Sequence, residues 1–263
     1  METVNETAPV MVLGDVHGDI GWMRDACKTA ASHGVQTIIQ VGDFAWNWPG
    51  RDKLKFGIRV EQFLAERSLH LVLVDGNHDN HAELRRLPLD ADGFGIMGGH
   101  MRYAPRGHRW TMHGTRFGAL GGALSIDRAW RVLDKSYWLE ETTTLEDVAR
   151  LGTEPLDVLL THEAPAGIAL KAGGKLPQEI EWEAWENRKL VAQAVANTGP
   201  SLVFCGHWHQ RATQALHHGN TRVEVLGMNG DRDGAAVLLH LTSALSAAVR
   251  ARPRVAPVRI TGT

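Results

Sequence analysis

The sequence contains very few cysteines. Only Cys27 and Cys205 occur in 263 residues, far apart in the chain. Two isolated cysteines do not form the disulfide framework of a secreted protein, and this usage is typical of a reducing compartment. We therefore predict a cytoplasmic protein in which both thiols are buried as small hydrophobic groups.

The sequence also lacks long apolar runs and an excess of charge. No stretch reaches the ~18 to 20 apolar residues that cross a bilayer. The polar start from Met1 to Ala8 has neither the basic segment nor the apolar core of a signal peptide. The formal net charge of −2 provides no basic field that would attract nucleic acid. We therefore expect no membrane partner and no strong nonspecific binding of nucleic acid.

Five short apolar runs that end in polar side chains are the main feature of the sequence. The clearest is Leu71–Val74, which continues as Asp75-Gly76-Asn77-His78-Asp79. The other four polar ends are Gly14-Asp15-Val16-His17, Gly42-Asp43, Thr161-His162-Glu163 and Gly206-His207-Trp208-His209. Continuous apolar runs are typical of buried parallel strands. Ligands of open α/β sheets bind beyond the carboxyl ends of such strands, so we expect these side chains to meet in one site.

Helical and strand patterns alternate around these runs. Apolar spacing predicts helices over Ile20–His33 and Leu54–Arg67, and the β-α-β order indicates a parallel sheet with right-handed crossovers. Short segments separated by glycines between Phe94 and Leu120 favour antiparallel hairpins in a mixed second sheet packed on the first. We predict a flexible N-terminus over residues 1–8, a single domain over 9–243 and a peripheral tail over 244–263.

The segment Ala164–Asn187 is long for a connection between two elements. Its length and its Gly173-Gly174 pair are more typical of a lid or substrate loop than of a plain connector. Alternatively, Trp182 and Trp185 form the apolar stripe of a surface helix. A helix is predicted over Arg188–Asn197.

The polar groups at the strand ends are metal ligands by type. They supply carboxylate, imidazole and amide but no thiolate, a mixture that favours Mn²⁺, with Fe or Zn²⁺ as alternatives, over a structural zinc site. Alternate residues of an extended segment point the same way, so Asp15 and His17 can address one cavity, as can His207 and His209. Seven ligands are too many for one tetrahedral ion, and two ions that share one carboxylate are the simpler arrangement.

The set of motifs resembles the calcineurin-like metallophosphoesterases. The matching motifs, in the family order, are Asp15-Val16-His17, Gly42-Asp43, Gly76-Asn77-His78-Asp79, Thr161-His162 and Gly206-His207-Trp208-His209. The resemblance covers residues 10–209 and implies an α/β fold, a four-layer α/β-β/α sandwich of two mixed β-sheets flanked by helices. It also implies two divalent metal ions. One ion would be held by Asp15, His17 and His209, the other by Asn77, His162 and His207, with Asp43 bridging them.

Phosphoester hydrolysis explains why these residue types are needed. Two metal ions about 3.5 to 4 Å apart can share a hydroxide for in-line attack and clamp the phosphate. Asn77 can also hydrogen-bond a phosphate oxygen, and His78, which is outside the ligand set, is the natural general acid for the leaving group. For Asp79 and Asp19, support of a site histidine and a capping or turn role are equally plausible.

Further residues near the strand ends are candidates for substrate contact. Arg128 and Arg131 would contact a phosphate or nucleotide, or else are ordinary surface arginines. Trp46 and Trp48 would form a wall for a base or aryl leaving group, or else pack against the following helix.

The resemblance leaves the substrate open. Gly42-Asp43 leads to Phe44-Ala45-Trp46 and the third motif ends in Asp79, which disfavours a dedicated protein phosphatase. Gly121–Arg128 and Tyr137–Glu140 resemble small bacterial and phage members, and a phage-encoded protein would act in the host cytoplasm. We predict a dimetal phosphoesterase for a small organic phosphoester, with a phosphodiester such as a 2′,3′-cyclic nucleotide slightly preferred over a monoester. A phosphomonoesterase or protein phosphatase, a nuclease of the same family and a non-catalytic metal-binding scaffold are the alternatives.

Overall fold

Two mixed β-sheets, each covered by helices on its outer side, form the protein. The computed structural model describes residues 9–49, 54–171, 174–216, 219–241 and 253–262. One sheet has seven strands and the other has six. The predicted α/β fold class, two mixed sheets flanked by helices, is thereby confirmed.

The seven-stranded sheet contains the first three strands of the chain in parallel. In the order in which they pair, its strands are β13 (Arg254–Pro257), β12 (Ala236–His240), β1 (Val10–Leu13), β2 (Thr37–Val41), β3 (His70–Val74), β5 (Met101–Tyr103) and β4 (Gly95–Ile96). Strand β12 is antiparallel to β1 in the register Val10↔Leu239, which makes the sheet mixed. The carboxyl ends of β1, β2 and β3 therefore lie along one edge.

The six-stranded sheet holds the two later motif strands side by side. Its strands, in pairing order, are β10 (Ala212–Leu216), β11 (Thr221–Val225), β9 (Leu202–Cys205), β8 (Val158–Thr161), β7 (Thr115–Leu120) and β6 (Arg109–Met112). Strands β7, β8, β9 and β11 run parallel, whereas β6 and β10 are antiparallel edges.

Alternation of side chains along the strands creates three apolar layers. Val10 and Val12 of β1 face the second sheet and pack with side chains such as Phe117 and Phe204. Met11 and the other alternate residues of β1 face the helices instead. The outer face of the second sheet packs on two further helices. The sheets are thus held at a fixed separation, and the loops at their shared edge are positioned from both sides.

The helices begin and end at recognisable signals. They are α1 (Ile20–Ser32), α2 (Lys55–Ala65), α3 (His81–Leu84), α4 (Leu145–Leu151) and α5 (Gln178–Thr198), with short 3₁₀ turns at Arg128–Trp130 and Leu139–Glu141. Asp19 caps α1 by accepting the Trp22 amide proton at 2.9 Å. Thr144 and Asp147 form a capping box on α4. None of the helices in the described part of the chain is long and apolar enough to span a bilayer.

Three sequence expectations differ from the structure. Of the segments between Phe94 and Leu120 expected in the second sheet, β4 and β5 pair in the seven-stranded sheet instead, where β5 runs parallel to β3. Residues 254–257 of the expected peripheral tail form an edge strand, because β12 offers an open edge and the following Val258 and Ile260 are buried in the helix-facing core. Helix α5 begins at Gln178, so much of the expected loop Ala164–Asn187 is helical and its tryptophans are exposed on that helix. The expected flexible segment 1–8 and residues 244–252 and 263 of the expected tail lie outside the described residues.

Candidate metal centre

The loops that follow β1, β2, β3, β8 and β9 meet at the shared edge of the two sheets. Their side chains form two groups of potential metal ligands, and within each group the ligand atoms lie within 4.8 Å of one another. The groups are Asp15, His17, Asp43 and His209, and Asp43, His162 and His207. The convergence of polar strand ends that the sequence predicts is therefore present.

Asp43 belongs to both groups and lies between them. Its Oδ2 atom is 3.4 Å from Nε2 of His17, and its Oδ1 atom is 3.2 Å from Nε2 of His162. In the first group, Oδ2 of Asp15 is 3.1 Å from Nε2 of His209. Each oxygen of the Asp43 carboxylate thus faces a different histidine, the arrangement expected of a carboxylate shared by two ions.

Asn77 extends the second group. Its Oδ1 atom lies 3.1 Å from Nε2 of His162, and its side chain is buried. The structure therefore brings all seven sequence-predicted ligands to one place, and His78 stands beside them with Nε2 at 3.9 Å from Oδ2 of Asp43. Their roles as ligands stay a prediction.

Glycines allow the candidate ligands to approach this closely. A Cβ atom on Gly76 would overlap the backbone nitrogen and carboxylate of Asp43, and one on Gly206 would overlap the carboxylate of Asp15. The space next to each carboxylate is kept free of side chains by a glycine on another strand end.

The candidate ligands also have uncommon backbone conformations. The φ angles of His17, Asp43, His207 and His209 are 46°, 56°, 66° and 51°, in the left-handed region that side chains other than glycine seldom adopt. Such conformations concentrate at functional sites.

The electrostatics favour a positive charge beside Asp43. Burial opposes ionisation of Asp43, but His162 and His78 hold the pKa of its carboxyl group well below the usual value. Burial acts to lower the pKa of His162, yet the Asp43 carboxylate raises that pKa to about 10. The carboxylate of Asp43 and the imidazole of His162 face each other at 3.2 Å, and their oxygen and nitrogen donors suit a divalent cation.

Hydrogen bonds on the far side of two histidines direct their Nε2 atoms inward. The Nδ1 atom of His162 lies 2.7 Å from the carbonyl oxygen of Val41, to which it donates. The Nδ1 atom of His17 is 3.2 Å from Oδ1 of Asn229, whose Nδ2 donates to Asp19. Fixing one ring nitrogen as donor leaves the other free as a ligand.

Asp19 and Asp79 support the site in different ways. Asp19 caps α1 and also holds Asn229 behind His17, so both of its predicted roles occur. Asp79 instead accepts the backbone N–H groups of Gly76 and Trp46, at 2.9 and 3.0 Å. Burial raises the pKa of Asp79 to about 7. Asp79 therefore shapes the loops after β2 and β3 rather than orienting a histidine.

A carboxylate also lies behind His207. The Oε1 atom of Glu163 accepts the N–H of Trp208 at 2.7 Å and the backbone N–H of Ala164 at 2.8 Å. Its Oε2 atom is buried without a hydrogen-bond partner among the described residues and lies 3.7 Å from Nε2 of His207. A negative charge thus faces the back of this imidazole.

His78 is enclosed by an aromatic and a cationic side chain. Trp48 stacks on its ring with centroids 5.5 Å apart, and the Arg131 guanidinium reaches its ring nitrogens at 2.7 and 3.0 Å. Burial, with Arg131 contributing, lowers the pKa of His78 to about 4, which disfavours the protonated ring. An anion bound beside the ring would act in the opposite direction.

The remaining predicted contact residues separate into two classes. Arg131 reaches the site while Asp127 binds its guanidinium at 2.6 and 2.8 Å. Arg128 points away and pairs with Glu183 on α5. Trp46 is buried in the core beneath the site, in agreement with the alternative that it packs against the following helix.

Sequence reasoning missed three residues that touch the candidate ligands or their partners: Asn229, Ser125 and Glu141. Asn229 carries the same signal as the motifs, since it follows the apolar end of β11 and a glycine. Ser125 lies in irregular chain and Glu141 in a three-residue 3₁₀ turn, where no periodicity identifies them. Asn77 donates to Ser125, which in turn contacts Glu141.

The fold and the site together define an α/β protein with ligand groups for two metal ions at the junction of its sheets. The chain belongs to the calcineurin-like phosphoesterase family, whose model matches residues 8–211. This family normally binds two divalent metals, and its activity is that of a phosphoester hydrolase. Comparison with curated protein sequences gives no significant match.

Solved structures show the same fold at low sequence identity. A dimetal phosphatase from Danio rerio is similar, with a TM-score of 0.58 and 12% identity over 98% of this chain and 100% of that chain. Protein TT1561 of Thermus thermophilus is similar with a TM-score of 0.56 and 17% identity, over 97% of this chain and 100% of that chain. At these identities the likeness concerns the fold alone.

Proposed function

We propose that this protein is a two-metal phosphoesterase of small organic phosphates that prefers phosphodiesters to phosphomonoesters. The observation that carries the proposal is the position of Asp43, which belongs to both ligand groups and has His78 beside it. Two buried free cysteines favour the cytoplasm as its location.

The residues fit two ions in the following assignment. One ion would be held by Asp15, His17 and His209, the other by Asn77, His162 and His207, and Asp43 would contact both. The absence of thiolate from this set favours Mn²⁺, with Fe and Zn²⁺ as alternatives. When bound, such ions supply Lewis acidity toward the phosphoryl group and activate water near neutral pH.

His78 is the group that we assign to the leaving oxygen. Its ring stands at the edge of the ligand groups, next to Asp43 but outside both, so it can face a bound ester. A phosphate that enters here meets the Arg131 guanidinium, whose N–H groups next to the His78 ring can donate to phosphoryl oxygens instead. The negative charge of the ester then favours the protonated ring that a general acid needs.

Outside the metal ligands, the charges next to His78 favour a monoanionic substrate. Asp127 binds Arg131 through two hydrogen bonds, so the guanidinium brings little net positive charge to the site. A phosphodiester carries one negative charge, whereas a monoester carries up to two near neutral pH. Trp48 adds a flat apolar surface next to His78, which suits a base or aryl group. A 2′,3′-cyclic nucleotide combines both properties.

The experiment compares three substrates on chelator-stripped protein with Mn²⁺ restored: bis-p-nitrophenyl phosphate, p-nitrophenyl phosphate and a 2′,3′-cyclic nucleotide. We expect metal-dependent turnover that favours the diesters. His78→Gln should keep its metal content but lose about 10²- to 10⁴-fold on the cyclic nucleotide, whose alkoxide leaving group needs a proton. It should lose less on the nitrophenyl esters.

His113→Gln is the matched control, because His113 is exposed in the turn between β6 and β7. Preference for the monoester would replace the diesterase assignment by a phosphomonoesterase. Two bound metals with no turnover of any of the three esters would favour a scaffold. Equal loss of His78→Gln on all three substrates would remove His78 from leaving-group protonation.

A further inference from the structure

A buried chain of hydrogen bonds runs outward from Asn77. Its Nδ2 atom donates to Oγ of Ser125 at 3.0 Å, and the Ser125 hydroxyl donates to Oε2 of Glu141 at 2.8 Å. The backbone N–H of Ser125 also donates to Oε1 of Glu141, at 2.6 Å. The three side chains are 1% or 2% exposed, so water does not compete for these bonds.

The chain of bonds has one direction. Burial raises the pKa of Glu141 to about 7. Above that pH its carboxylate only accepts, so the Ser125 hydroxyl donates to Glu141 and keeps its oxygen free to accept from Asn77. Only the nitrogen end of the Asn77 amide can donate to that oxygen. The oxygen end must then point the other way, where Oδ1 lies 3.1 Å from Nε2 of His162.

Shape alone does not define this orientation. The two ends of an asparagine amide are nearly equal in size, and a 180° rotation exchanges a metal-ligating oxygen for an NH₂ group that cannot ligate. Ser125 distinguishes the two orientations, because its oxygen can accept a hydrogen bond only from the NH₂ end of the amide.

The far end of the chain is fixed in place. The backbone carbonyl of Glu141 accepts from the Arg106 guanidinium at 3.0 Å and from the N–H of Ala123 at 3.0 Å. Arg106 is itself bonded to Asp75, two residues before Asn77. We call the hydrogen bonds from Asn77 through Ser125 to Glu141 the relay. The relay joins the loop after β3 of one sheet to the segment after β7 of the other.

We propose that Ser125 and Glu141 are positioning residues that turn the amide oxygen of Asn77 toward the second ligand group. The inference rests on the proposed function, because it assumes that Asn77 ligates an ion. Neither residue touches the substrate side of the site; both act through Asn77.

The test measures metal binding directly. Mn²⁺ affinity and stoichiometry are determined by calorimetry and elemental analysis on the full chain, with thermal unfolding as a check of folding. Ser125→Ala should weaken one of two Mn²⁺ sites by about 10- to 100-fold, the usual effect of losing a residue that orients a ligand. Glu141→Gln should weaken the same site, and Ser125→Thr, which keeps the hydroxyl, should restore it.

A double-mutant cycle separates orientation from general structural damage. Both oxygens of an aspartate can ligate, so in an Asn77→Asp background the Ser125→Ala change should no longer affect Mn²⁺ affinity. Ser201→Ala is the matched control, because Ser201 donates one hydrogen bond to a backbone carbonyl at 3.0 Å far from the site.

The outcomes distinguish the relay from the proposed function. Wild-type protein that binds fewer than two Mn²⁺ ions would overturn the proposed function and the inference together. Two wild-type sites that Ser125→Ala leaves unchanged would overturn the relay alone. An equal loss of affinity from Ser125→Ala in the wild-type and Asn77→Asp backgrounds would do the same.

Discussion

Replacing Arg106 by methionine should destabilise the whole fold, although Arg106 is not a candidate ligand. Arg106 is 4% exposed, and its guanidinium binds Asp75 at 2.6 and 2.8 Å and the carbonyl oxygens of Glu141 and Thr142 at 3.0 and 2.6 Å. The Asp75 carboxylate is fully buried, and its nearest other donor is the Tyr103 hydroxyl at 3.0 Å.

The expected loss of stability follows from the buried charge of Asp75, which the substitution leaves without its partner. Removing one partner of a buried ion pair costs about 3 to 5 kcal/mol, because the other charge stays in the interior uncompensated. For a domain of this size 1 kcal/mol shifts the melting temperature by about 2 to 4 °C, so Arg106→Met should melt about 6 to 20 °C below wild type.

Urea unfolding and calorimetry measure this loss, and Arg116→Met is the matched control. Arg116 also forms a bidentate pair, with Asp157, but the two side chains are 32% and 18% exposed. Its loss should cost at most about 1 kcal/mol. Asp75→Leu combined with Arg106→Met should be more stable than Arg106→Met alone, since the buried Asp75 charge is removed together with its partner. Similar losses for Arg106→Met and Arg116→Met would refute the reasoning.

Three further predictions concern the site and its surroundings. Gly76→Ala should reduce Mn²⁺ affinity by tenfold or more, since the new Cβ displaces Asp43. Gly174→Ala is the control, because a Cβ there meets nothing within 4 Å. Equal Mn²⁺ affinities of the two variants would show that Asp43 does not need a glycine at position 76. Burial lowers the pKa of His81 to about 3, whereas an unfolded histidine binds a proton near pH 6.5. The free energy of unfolding should therefore decrease as pH falls below about 6.5. His81→Asn should reduce the slope of this decrease by up to about 1.4 kcal/mol per pH unit, measured by urea unfolding between pH 6.5 and 5. An unchanged slope would contradict the role of His81. Trp48→Ala should raise KM for aryl and nucleotide esters more than for a small dialkyl phosphate, and equal effects on both would exclude stacking as its role.

The sequence predicts well the edge of the fold that carries the candidate ligands, because the physics there is local. A buried strand must be apolar, and the residue after it is the first that can be polar, so Asp15, Asp43 and His162 are visible as breaks in apolar runs. Parallel pairing then brings those breaks together with no further information.

Other parts of the structure depend on contacts that no short pattern encodes. Strand β10 has an alternating half-exposed pattern and pairs only as an antiparallel edge, so it is hard to distinguish from a loop. Helix α5 begins at Gln178 because acidic residues follow Pro177 in its first turn, while its exposed tryptophans obscure the apolar face. Ser125 and Glu141 matter through one hydrogen bond each to partners far away in sequence.

Hydrogen bonds between the ligand loops hold their strained backbone in place. Left-handed conformations at His17 and His207 cost on the order of 1 to 3 kcal/mol each and persist only where the surroundings impose them. The surroundings here are the ligands themselves: the carbonyl of Asp43 accepts from the backbone of His17 at 2.8 Å, and the carboxylate of Asp15 accepts from the backbone of His207 at 3.1 Å. Each loop is thus held by an aspartate from another strand. Because the aspartates that would bind metal also fix the loops that carry the histidines, the polypeptide itself sets part of the ligand geometry.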